Sequence, residues 1–131
     1  MEHTHDVDQS GSTEHPQLRR ERDAQERLLR LGADGLTPRP WRPGPTPPTA
    51  VDLTQFAVWR SADLAADDLL DALALLPAAR AEVEGVEIGL IFSARSAGLT
   101  WAQIADAMGF RSPQACQQHV TRLSTRRSAQ P

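Results

Sequence analysis

The stretch GLTWAQIADAMGFRSPQACQQHV, residues 98–120, constrains the fold more than any other part of the chain. It carries two sets of helix stop and start signals in succession. Gly98 suits a left-handed helix end. Thr100 and Gln103 stand three apart, as an N-cap and its reciprocal partner do in a capping box. Gly109 closes the short helix that follows. Ser112 then suits an N-cap, and Pro113 the first helical position, where its missing N–H costs no hydrogen bond. Between these signals Trp101, Ile104, Ala105 and Met108 recur at helical spacing, as do Cys116, Val120 and Leu123 after them. The C-terminal part is therefore expected to be two short helices, each with one apolar face, joined by a glycine turn.

Upstream, the same periodicity predicts two longer helices. Ser61 is placed to cap one that runs to about Leu76, with Leu69, Leu70, Leu73 and Leu76 on one side and Asp67, Asp68 and Asp71 on the other. Pro77 opens the next, which runs to about Ala97. That helix has one apolar stripe of Val83, Val86, Leu90 and Ala94 and a second of Ile88, Ile91 and Phe92, so both sides need cover. Gly85 and Gly89 together cost about 2 kcal/mol relative to alanine. A close helix crossing at that face would account for them.

The expected architecture is all-α: a small helical bundle over 51–125 that ends in a helix-turn-helix. Residues 1–50 read as a flexible region. Its first 16 residues have too little apolar surface to order themselves, and His3, His5 and His15 match no established metal-ligand spacing. Residues 17–31 form at best a marginal helix with Leu18, Leu28, Leu29 and Leu31, which docks elsewhere or stays mobile. Residues 36–50 hold six of the ten prolines and read as an extended linker, with Trp41 resting on the domain. Residues 126–131 form a basic tail.

Composition narrows the function. A single cysteine, Cys116, excludes an intramolecular disulfide. The N-terminus has neither a basic start nor an apolar core, and the apolar run Leu69–Ala79 is too short to span a bilayer, so a cytoplasmic location is expected. No nucleophile–base set, phosphate-cradling glycine loop or metal-ligand cluster is present, so neither an enzyme nor a cofactor is expected. The net charge of −3 conceals an asymmetry. Residues 61–98 carry seven acids and two arginines, whereas 99–131 carry four arginines and only Asp106. The positive end coincides with the capped helices, which suits a nucleic-acid partner.

GLTWAQIADAMGF…SPQA resembles the helix-turn-helix of sigma-factor region 4, and more closely that of small DNA-binding proteins of high-GC bacteria with GxTWAQIAxALG-type motifs. The resemblance covers roughly residues 75–125 and implies a last helix that lies in the DNA major groove. Thr100, Ile104, Ala105 and Gly109 fall on its scaffold positions, and Ser112 to Arg122 on its recognition helix. The connection GFRSPQA is about one residue longer than in the most compact turns.

The expected interface is Arg111, Ser112, Gln114, Gln117, Gln118, Thr121, Arg122 and Arg126. Glutamine pairs with the adenine edge and threonine with the thymine methyl. Arg111, Arg122, Arg126 and Arg127 are the expected phosphate contacts, joined by backbone amides at Thr100 or Gln103. The expected function is sequence-specific binding of double-stranded DNA by a small bacterial transcriptional regulator, with a homodimer providing twofold half-sites. The alternative is a protein-interaction module for RNA polymerase, a sigma factor or another regulator, suggested by the acids of 63–87.

Overall fold

A computed structural model describes the backbone of residues 2–37 and 47–129 and the side chains of 16–37 and 47–128. Every regular element among them is helical, as the apolar spacing anticipated. In chain order these are α1 (Glu2–Arg30), α2 (Ala50–Trp59), α3 (Ala66–Ala74), α4 (Leu76–Ser96), α5 (Trp101–Met108) and α6 (Pro113–Ala129), with 3-10 turns at Ala33–Gly35 and Ser61–Asp63. No helix among the described residues is long and apolar enough to cross a membrane. The side chains of His3, His5 and His15, and the linker residues 38–46 with Trp41, lie outside the described set.

The chain divides into two compact units, residues 1–81 and 82–131, and the division falls inside α4. This departs from a single folded region beginning at Val51. The N-terminal unit is built on the segment expected to be marginal: Ala24 and Leu28 of α1 are fully buried with Leu53, Phe56 and Leu75. A small residue, Ala24, lets α1 approach its neighbours closely, which a count of leucines does not register. Helix α1 is already helical at Glu2, where an unordered polar tail was expected.

Helix α2 lies at the edge of the expected linker and starts with a capping box. The Thr49 hydroxyl accepts from the Asp52 amide at 3.3 Å, and the Asp52 carboxylate accepts from the Thr49 amide at 3.0 Å.

Helix α3 starts at Ala66, because Ser61 opens the 3-10 turn and not the helix. It departs from a leucine-in, aspartate-out arrangement: Asp68 turns inward, Asp71 is half-buried and Asp67 stays exposed. Asp68 is only 6% exposed and accepts from the Arg27 side chain at 3.0 Å and from the Ala65 amide at 3.1 Å. These bonds hold its carboxyl below the usual range, the Arg27 hydrogen bond contributing most, then that of Ala65; burial opposes them. Ala72 and Leu75 are buried beside it, and Leu69, Leu70 and Leu73 face outward.

In the C-terminal unit Ile91, Ile104, Ala105 and Cys116 form the core, with Ala94, Trp101, Phe110 and Val120 packed against it. Leu123 is buried one turn further along α6. Of the stripes expected on α4, Ile91 and Ala94 face this core, while Val83, Val86, Leu90 and Phe92 are exposed. Successive residues differ by about 100° around a helix, so Phe92 cannot share the face of Ile91.

Candidate nucleic-acid interface

The two ends of α5 are set by short-range hydrogen bonds. Before it, the amides of Gly98 and Leu99 donate to the carbonyls of Arg95 and Ala94, at 3.0 Å each. After it, the amides of Gly109 and Phe110 donate to Asp106 and Ala105 at 3.2 and 2.8 Å. Each is the paired bonding of a Schellman stop, and it requires a left-handed residue: Gly98 has φ 92° and Gly109 φ 81°. The capping box is also present. The Gln103 amide donates to the Thr100 hydroxyl at 3.1 Å, and the Thr100 amide to the Gln103 side-chain oxygen at 2.8 Å. Both amides are thereby engaged within the helix end. The expected phosphate contact through them is not available as the cap stands.

Ser112 caps α6 by accepting from the Ala115 amide at 3.1 Å. It is half-buried, which makes it a scaffold residue rather than a member of the outward row. Phe110, first residue beyond the glycine, packs into the core and lies 5.1 Å from the His119 ring. His119 in turn meets Glu87 of α4 at 2.8 Å, Nε2 to Oε2. Arg126, one side of the helix with His119, pairs with Glu84 at 3.3 Å. The guanidinium of Arg127 lies 3.1–3.3 Å from where a β-carbon on Gly85 would stand. Gly85 thus makes room for an arginine head and not for a crossing helix, and the space over Gly89 is open.

These contacts fix the rotation of α6. Cys116 and Leu123 point into the core, and Gln114, Gln117, Gln118, Thr121, Arg122 and Thr125 are exposed. By helical geometry Gln114, Gln118, Thr121 and Thr125 lie on the side opposite the core, with Gln117 and Arg122 on its two flanks. Arg111 is exposed in the turn. Six of the eight expected residues therefore face outward together. Ser112 is spent on the cap and Arg126 on an acid of α4.

The row has a definite chemistry. No carboxylate occurs anywhere on α6. The hydroxyls of Thr121 and Thr125 donate to the carbonyls of Gln117 and Thr121, at 2.9 and 2.8 Å. Their methyl groups and oxygen lone pairs are what remain to offer a ligand. The glutamines supply both donors and acceptors.

No protein family, curated protein or solved structure matches the chain.

The remaining chemistry of the unit is quiet. Cys116 is fully buried, and burial first, then the nearby Glu87 charge, pushes its thiol pKa up, so it stays protonated and unreactive. Arg95 donates to the Leu99 carbonyl at 3.0 Å and stacks 5.1 Å over Trp101, at the entry to α5. Among the described residues no group of three potential ligands is placed to hold a metal ion.

Proposed function

We propose that the C-terminal unit is a helix-turn-helix that binds double-stranded DNA sequence-specifically, with α6 entering the major groove, in a small transcriptional regulator. The observation that carries this reading is the exposed face of α6. It presents amide and methyl groups suited to base edges, is flanked by Arg122 and by Arg111 in the turn, and bears no carboxylate to repel phosphate. The two acids of α4 nearest to it support the reading, because Glu84 and Glu87 are each paired with a residue on the back of α6. Glutamines 114 and 118 are assigned to base edges. Arg111 and Arg122 are assigned to phosphates, and Arg126 to holding the helix.

The exposed row of Val83, Val86 and Leu90 on α4 supports a twofold pair on adjacent half-sites.

Selection of sites from random duplex by the purified chain, followed by titration of the selected site at several salt concentrations, tests the reading. Gln118→Ala is expected to relax the selected sequence. Arg122→Ala is expected to weaken all duplexes and to lower the salt slope by about one. Arg126→Ala should leave the slope nearly unchanged. No duplex binding at low salt refutes the proposal, and equal effects of the two arginine substitutions refute the orientation of α6.

A further inference from the structure

One side chain in the outward row of α6 has a narrower chemistry than its residue type. A threonine ordinarily offers a ligand a donor, an acceptor and a methyl group. The Thr121 hydroxyl already donates its hydrogen to the Gln117 carbonyl at 2.9 Å. Turning it onto a base would exchange one hydrogen bond for another, so the hydroxyl adds little net preference for any base. The bond also fixes where the oxygen lies on the branched β-carbon. With the oxygen held there, the methyl group is the part of exposed Thr121 left to make a selective contact.

Thr125 repeats this geometry, its hydroxyl donating to the Thr121 carbonyl at 2.8 Å. It stands about 6 Å further along the helix axis. In a helix-turn-helix the N-terminal part of the second helix meets the base edges. Of the two threonines, Thr121 is therefore the one set among bases, on the same side as Gln114 and Gln118.

The major-groove edge of a base pair offers a methyl group one apolar partner, the methyl on C5 of thymine. Cytosine lacks that group, and 5-methylcytosine carries it in the same place. The hydroxyl of Thr121 does not tell these pyrimidines apart, and the methyl contact does.

We infer that Thr121 reads the 5-methyl group of a pyrimidine, so that thymine and 5-methylcytosine both satisfy it and methylation of a cytosine at that place raises binding. This holds only if α6 enters the major groove as proposed above, and it names the feature of the DNA that this residue senses.

The test uses the full chain and a duplex selected from random sequence, remade with one thymine at a time replaced by deoxyuracil, which removes only the 5-methyl group. At one position the wild type is expected to bind about fourfold more weakly, the effect of exposing one methyl group. Thr121→Ser keeps the hydroxyl and lacks the methyl, so it should be weakened on the thymine duplex and indifferent to deoxyuracil. Thr121→Val keeps a methyl and should stay sensitive, as should Thr125→Ser, which removes the equivalent methyl one turn on. With a C·G pair at that position, 5-methylcytosine should bind the wild type about fourfold more tightly than cytosine and leave Thr121→Ser unchanged. Binding that no deoxyuracil weakens overturns the inference alone. So does a deoxyuracil loss that persists in Thr121→Ser, or a wild type blind to cytosine methylation there. Absence of any duplex binding removes the DNA reading and this inference with it.

Discussion

Glycine to alanine at four positions of the C-terminal unit gives a prediction whose sign changes with backbone geometry alone. At Gly109 a β-carbon meets no atom within 4 Å, so sterics with the surroundings contribute nothing. The cost comes from φ 81°, where an L-residue loses about 1–2 kcal/mol. The less flexible unfolded chain returns about 0.4–1 kcal/mol. The net for Gly109→Ala is a destabilisation of about 1 kcal/mol, and Gly98→Ala, at φ 92° with equally open space, should match it. Gly89 lies inside α4, also with open space, so alanine there stabilises by about 1 kcal/mol through helix propensity. Gly85→Ala falls between the two, because its β-carbon displaces the Arg127 guanidinium by a few tenths of an ångström. Urea unfolding followed by Trp101 fluorescence, with Trp41 and Trp59 replaced by Phe, reads the difference in this unit. Midpoints should move in opposite directions at parallel slopes. A destabilising Gly89→Ala, or a stabilising Gly109→Ala, refutes the reasoning.

Asp68 supplies a pH dependence for the N-terminal unit. Its folded pKa lies below the unfolded value of about 3.9, so its stabilisation is complete above that value and is lost as pH falls through the folded one. Asp68→Asn should lower stability at neutral pH and flatten the acid limb of a urea-midpoint profile; an unchanged acid limb counts against the Arg27 pair. Cys116, buried and protonated, should react with iodoacetamide more than about 100-fold faster in urea than in buffer, a ratio set by the opening equilibrium. Similar rates in both would place the thiol outside the core.

The caps of α5 and α6 were legible because they are local: each involves residues within five positions, and each residue type has one physical use there. The same signal at Thr49 and Asp52 was hidden by the prolines beside it. The rotation of α3 was not legible. Periodicity tells which residues share a face, and only a distant partner decides which face turns inward. Here that partner is Arg27, 41 positions away. The pairing of Arg126 with Glu84 has a signal in the sequence. Arg126 follows His119 by seven residues, so both lie on the flank of α6 that meets the acids of α4. The exposure of Gln114 and Gln118 followed directly from the burial of Cys116 and Leu123, and the pairing of α4 acids behind them did not.

The two glycine stops around α5 also bear on how fast this end of the chain acquires its structure. Their hydrogen bonds, the two serine and threonine caps, and the apposition of α5 with α6 all join residues close in sequence. Little loop entropy has to be surrendered before contacts form. A topology of this kind belongs to the microsecond-to-millisecond class of folders. The order of α5, turn and α6 is written into the backbone before any distant segment needs to arrive.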